Sequence, residues 1–268
     1  MSTMVPVRYG TMRNVGFFVA DKEEFRPGDD VIVRTERGVE WGEVLQCRAE
    51  CHREEPPHGT VLRRVTDSDN EKLERIKQDK EPAEYEVCEE LIDELDVPME
   101  LVDVEHLFGG HKIIFFFTAD GRVDFRDLVR ELAGHYCTRI EMRQIGARDE
   151  ARLIGLMGPC GRELCCGSFL NSIEPVPMKV AKSQKATLDP SKIGGCCGRL
   201  KCCLRYEDQQ YRDLRENLPR RGTDVQTESG QGVVVGHEIL RQTVTVQYPD
   251  DTETTLSVED VSVIDGAR

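Results

Sequence analysis

Cys160-Gly161-Arg162-Glu163-Leu164-Cys165-Cys166 returns 37 positions later as Cys197-Gly198-Arg199-Leu200-Lys201-Cys202-Cys203. Thiols grouped at such short spacing contribute little to packing and suit soft metals or disulfide exchange. Cys196 stands beside the second copy. Gly158, Gly161, Gly194, Gly195 and Gly198 leave bare backbone that can approach sulfide and donate N–H groups to it. Four thiolates complete one zinc or one four-iron site. Zinc ribbons place two residues between paired ligands, whereas here four separate Cys160 from the adjacent Cys165-Cys166 pair, whose side chains diverge. The pattern favours an iron–sulfur cluster or a ligand set shared with another protein. Zinc, and redox-active or structural thiols, are the alternatives.

The elements that must position these cysteines can be read on either side of them. At 268 residues the chain has room for two or three small domains. Val5–Arg8, Val15–Val19, Val31–Thr35 and Glu43–Leu45 read as short strands separated by turns at Pro27-Gly28-Asp29 and Arg37-Gly38, fitting a small bent barrel. Residues 48–64 read as a polar connector. Ser68 with Glu71 marks a helix start, and Pro82 predicts a break or a restart before Tyr85, Cys88, Leu91, Ile92 and Leu95 recur at helical spacing. Strands at Glu100–His106 and Lys112–Thr118 follow, then a helix near Asp124–Ala133 and a strand at Arg139–Gln144. This order predicts a two-layer α+β domain with helices on one side of its sheet. Residues 222–264 read as a second, SH3-like β-barrel. The fold class is therefore α+β. The expected division is a β-barrel-like module with connector at 1–64, the α+β domain at 65–150, a Cys-rich module at 151–221 and a small barrel at 222–268.

No charged start followed by an apolar stretch opens the chain, and the longest apolar run, Ile113–Phe117, is far too short to insert in a membrane. A cytoplasmic location is expected, and eleven cysteines in a reducing compartment point to metal or redox chemistry rather than a disulfide scaffold. The net charge of −14 is uneven: residues 160–205 carry eight basic against three acidic side chains, a local +5 that leaves −19 elsewhere. That basic, Cys-rich region either compensates thiolates and sulfide or meets phosphate, for example in RNA.

The remaining candidates are weaker. Cys47, Cys51, His52 and His58 make a Cys-Cys-His-His group, but at no standard finger spacing, so an exposed loop is the expectation. Cys88 and Cys137 read as small buried hydrophobes, and His106 and His111 as parts of a solvated turn. No Ser/His/Asp arrangement, phosphate-cradling loop or nucleotide fingerprint is present, so no catalytic residue is assigned. A thiol oxidoreductase is the weakest reading, because the spacing is not Cys-x-x-Cys.

Gly158-Pro-Cys-Gly-Arg-Glu-Leu-Cys-Cys, Pro175-Val-Pro-Met-Lys-Val-Ala-Lys and Gly195-Cys-Cys-Gly-Arg-Leu-Lys-Cys-Cys-Leu-Arg-Tyr-Glu resemble the YaaT/RicT family, built around the PSP-type C-terminal conserved region. The resemblance extends through Phe117-Thr-Ala-Asp-Gly-Arg-Val-Asp-Phe and Thr138-Arg-Ile-Glu-Met-Arg-Gln-Ile-Gly to Arg37-Gly-Val-Glu-Trp-Gly-Glu-Val. It implies a non-catalytic regulatory protein that acts with small partner proteins in a complex carrying iron–sulfur clusters, of the four-iron (4Fe-4S) type. That complex assists ribonuclease Y in mRNA maturation and influences sporulation. The ligands it implies are Cys160, Cys165, Cys166, Cys197, Cys202 and Cys203. Cys196 departs from the family pattern, where an apolar residue is expected. An RNA-binding regulator with a structural zinc or thiol module is the alternative.

Overall fold

The computed structural model describes residues 3–20, 24–46, 56–170 and 173–264. The chain divides into two compact units: residues 1–173 with 196–199, and residues 174–195 with 200–268. No helix among the described residues is long and apolar enough to cross a membrane.

The first unit begins with the expected barrel. Strands β1 (Thr3–Tyr9), β2 (Asn14–Ala20), β3 (Asp30–Arg34), β4 (Val39–Val44) and β5 (Gly59–Arg64) close in the order β1-β2-β5-β3-β4. Period-two alternation turns Val5, Val7, Phe18, Val31, Val33 and Val44 inward to form its core. The fifth strand lies inside the stretch expected to be a connector. It runs parallel to β2 and antiparallel to β3, and a Cβ at Gly59 would fall 1.9 Å from the Arg34 carbonyl oxygen. Only glycine fits there.

Helix α1 (Asp67–Arg75) starts two residues earlier than the Ser68/Glu71 pattern suggests. The capping pair is Thr66 and Asp69: Asp69 Oδ2 accepts the Thr66 N–H at 2.9 Å and the Thr66 hydroxyl at 2.8 Å. Pro82 restarts the helix rather than ending it. A π-helical turn at Ile76–Lys80 leads directly into α2 (Glu81–Glu94), with Pro82 in its first turn. The wider turn moves aside the Gln78 carbonyl that a proline ring would otherwise strike, and the first turn needs no N–H from residue 82.

Strands β6 (Glu100–His106) and β7 (Lys112–Thr118) pair antiparallel, and α3 (Arg126–Tyr136) carries the chain over to β8 (Arg139–Gln144), parallel to β7. Three of these four boundaries fall where the sequence puts them. The sheet differs from expectation in being covered on both faces. Cys88 and Ile92 of α2 and Leu128 and Leu132 of α3 pack with Val104, Ile113 and Phe115. On the opposite face Ile114 and Phe116 pack with Met12 of the β1–β2 turn, Leu107, Ile145 and Leu153. Leu153 belongs to α4 (Ala147–Ile154), a helix not anticipated from the sequence. An unbroken run of apolar residues from Ile113 to Phe117 is the mark of a strand buried on both sides. The barrel is tied in as well, since Ile32 on its outer surface packs with Ile76 and Phe108.

Following α5 (Cys165–Ser168), the second unit contains α6 (Met178–Ser183), α7 (Pro190–Ile193) and a 15-residue α8 (Cys202–Glu216). Five strands come next: β9 (Asp224–Thr227), β10 (Gly230–Glu238), β11 (Thr243–Gln247), β12 (Glu253–Ser257) and β13 (Ser262–Val263). They form an antiparallel sheet ordered β12-β11-β10-β9-β13, with β12 and β13 at its edges rather than joined in a closed barrel. Tyr211 and Leu214 of α8, with Leu218, pack on Val225, Val234, Val244 and Val246. The segment after the second cysteine repeat therefore draws its core from this sheet.

Candidate metal centre: a repeated cysteine hairpin

The sequence repeat is a structural repeat. In the first copy Met157 bridges Glu163, and Gly158 N–H donates to the Arg162 carbonyl at 2.8 Å. In the second, Gly194 bridges Leu200 and Lys201 N–H donates to the Ile193 carbonyl at 2.9 Å. Each bridge is displaced by the same 37 positions as the cysteines. The tips turn through Gly161 and Gly198 at φ 74° and 70°, a left-handed conformation that favours glycine. The chain then enters a helix at the double cysteine, Cys165 in α5 and Cys202 in α8, with the preceding residue at φ/ψ −56°/134° and −54°/126°. Each copy thus holds one thiol at a hairpin tip and two at a helix start.

The six sequence-assigned thiols do not share one environment. Cys160 is exposed, Cys165, Cys197, Cys202 and Cys203 are half-buried, and Cys166 is buried. Burial raises the Cys166 thiol above its ordinary pKa, and the nearby Cys197 adds to that, while Arg152 and Arg148 oppose it. Cys160, Cys165, Cys166 and Cys197 belong to the first unit, as does Cys196, whose thiol donates to the Met157 carbonyl at 3.4 Å. Cys202 and Cys203 belong to the second unit. Thiolate is the right donor for an iron–sulfur cluster or zinc. Among the described residues no three Cys, His, Asp or Glu side chains come together as a metal-ligand set.

Several other candidates lie elsewhere than the sequence suggests. Cys47, Cys51 and His52 fall outside the described residues, and His58 accepts the Phe17 N–H at 3.2 Å on the barrel. Cys88 is buried as expected, its thiol pushed up to about 12 by loss of solvent. Cys137 is exposed, contrary to expectation. It caps α3 in a left-handed conformation at φ 48°, where the chain must reverse into β8, and this turns its side chain outward. His111 is exposed in its turn.

His106 is not part of a solvated turn. It is buried, its Nδ1 is 2.6 Å from Glu84 Oε1, and its N–H donates to Glu81 Oε1 at 3.0 Å. Beside it lies a second buried group that sequence reasoning missed. Arg37 is paired with both Glu40 and Glu105, and Thr35 donates to Glu40. The alternation of β4, which points Glu40 to the same side as Gly42 and Val44, was the available signal. Of the basic stretch 160–205, Arg205 is neutralised by Glu174 and Asp208.

Residues 59–145 match the PSP1 C-terminal conserved region and residues 175–218 the third domain of PSP1-like proteins. The first cysteine hairpin lies between the two matches. No solved structure matches the chain. An uncharacterized protein of Schizosaccharomyces pombe is 35% identical over 82 residues, covering 31% of this chain and 11% of its own length. The stage 0 sporulation protein YaaT of Bacillus subtilis is 43% identical over 249 residues, 92% of this chain and 90% of that one. With likeness of that extent the chain belongs to the YaaT family of PSP1-region proteins.

Proposed function

We propose that this chain is a non-catalytic regulatory adaptor of a sporulation-type programme, and that its cysteine hairpins hold an iron–sulfur cluster jointly with other chains. Membership of the family of a stage 0 sporulation protein supports the regulatory half of this reading. The repeated hairpin carries the rest: its thiolate donors suit iron and sulfide, and they recur in the same turn geometry in both copies. A ligand set of this kind is completed by small partner proteins, and ribonuclease Y, with its mRNA substrates, is the effector the complex would serve. Because ligand binding stabilises only the state that holds it, cluster occupancy would report iron or oxidant to the assembly.

Iron, acid-labile sulfide and zinc are to be measured on protein purified without oxygen, both alone and captured with whatever it binds in its host. Near-equal iron and sulfide in the captured complex, lost in Cys165→Ser and in Cys202→Ser, is the expected result. Stoichiometric zinc without sulfide would make the hairpins structural. No metal in either preparation would refute the cluster.

A further inference from the structure

A cavity of about 370 Å³ opens beside the β6–β7 turn of the first unit. Its lining includes Ala83 and Glu84 of α2, His106 of β6, Ile113 of β7, and Tyr136 and Thr138 where α3 passes into β8. Among the described residues, Glu84 Oε2, His106 Nε2 and the Tyr136 hydroxyl are all buried and all lack a hydrogen-bond partner. The side chains of Glu84 and His106 are only 5% and 6% exposed. Three elements distant in sequence therefore each bring one unpartnered polar atom to the same cavity.

The first two are held in place. His106 Nδ1 is 2.6 Å from Glu84 Oε1, and an ionised carboxylate only accepts, so Nδ1 carries the hydrogen and the neutral ring keeps its lone pair on Nε2. The His106 N–H donates to Glu81 Oε1 at 3.0 Å, which fixes the backbone. A Cβ on Gly110 would lie 4.0 Å from Nε2, so the turn approaches that atom with bare backbone. Burial, then the charge of Glu84, pushes the Tyr136 hydroxyl up to about 12, which keeps it protonated.

We propose that Glu84, His106 and Tyr136 form the binding site of a small molecule that presents a planar cationic nitrogen group of the amidinium or guanidinium class.

The pairing of a buried Glu with a buried His accounts for Oε1 and Nδ1, but leaves Oε2, Nε2 and the phenol unexplained. Each such atom carries a desolvation cost that an apolar side chain would avoid. Oε2 and Nε2 are both acceptors, so together they call for a ligand with two N–H donors, and an amidinium offers them in one plane. Charge points the same way. Lys77 is paired with Glu81, and Asp79 and Lys80 add one charge of each sign to the lining, so the Glu84 carboxylate is the charge left for a ligand to balance. Ala83 and Ile113 give the cavity apolar wall for the carbon frame that bears the nitrogens. The π-helical turn at Ile76–Lys80 is a further pointer. It supplies Asp79 and Lys80 to the lining, and turns of this kind recur where a helix serves a functional site.

The full-length protein is to be titrated with benzamidine and, separately, with benzoate, an anion of the same shape, binding being followed by saturation-transfer NMR. Benzamidine is expected to bind and benzoate is not. Glu84→Gln keeps an oxygen for the His106 ring N–H and removes the charge, and should weaken benzamidine by about tenfold or more. Tyr136→Phe deletes a hydroxyl with no partner in the chain. It should melt no lower than the parent while binding benzamidine about three- to tenfold more weakly. Equal binding of the two probes would mean an apolar cavity without charge selection and would overturn the site. So would absence of benzamidine binding, or a Glu84→Gln and a Tyr136→Phe variant that bind it as tightly as the parent, since water alone would then meet the three atoms. The cysteines take no part in it, so this result and the metal analysis fail or succeed separately.

Discussion

Phe116→Ala is expected to cost about 3–5 kcal/mol of stability, and Phe115→Ala a similar amount. The two side chains are adjacent on β7, are both fully buried, and point to opposite faces of the sheet. Phe115 lies under the α2 and α3 helices, whereas Phe116 lies under Met12 and Leu153. A sheet with helices on one side only would tolerate truncation at one of the two positions. Equal penalties are therefore the signature of a three-layer arrangement. Urea denaturation of the two variants, followed by far-UV circular dichroism, measures this. A Phe116→Ala cost below about 1 kcal/mol would mean that the second face is not packed.

Arg37→Met is expected to destabilise the first unit by about 3–5 kcal/mol near neutral pH, because it strands two buried carboxylates. The side chain of Arg37 is 17% exposed, and those of its partners Glu40 and Glu105 are 2% and 6% exposed. Burial already raises the Glu40 pKa above its ordinary 4.5, with Arg37 and the Thr35 hydrogen bond as the main opposing influences. Removing Arg37 raises it further. A carboxylic acid with a raised pKa in the folded state takes up a proton more readily folded than unfolded. Its favourable contribution is complete below the unfolded pKa and is lost as pH rises through the folded one. The penalty of Arg37→Met should accordingly be largest above the raised Glu40 pKa and shrink as the solution is acidified toward 4.5. Urea midpoints at pH 7.5 and pH 5 test the sign. An equal loss at both would remove Glu40 from the explanation.

Residues whose neighbours in space are also neighbours in sequence were legible before any coordinates. The repeated Cys-Gly-Arg loops, the β6–β7 hairpin and the four longer C-terminal strands all follow from local pattern, since a turn or a period-two run specifies its own geometry. What stayed hidden depends on distant partners. β5 looks like a connector because its strand character comes from β2 and β3, whose pairing residues lie at least 26 positions away. α8 carries few apolar residues among its charges, and becomes meaningful once the later sheet supplies contacts for Tyr211 and Leu214. His106 reads as a turn residue until Glu84, 22 positions earlier, is placed on its ring. At the candidate centre, the sequence supplies the donor type and the repeat. Which thiols come together depends on packing between segments that no local pattern encodes.

The position of β5 has a consequence for how the protein can be divided. The PSP1 region begins at residue 59, and so does the strand that completes the barrel. A chain cut at that border would leave the amino-terminal piece with β2 and β3 as two open edges, each a template for intermolecular pairing. The other piece would begin with an orphan strand bearing Val61 and Leu62. The border of the shared sequence is thus not a border of folding: the barrel is a clasp whose last link belongs to the region it fastens.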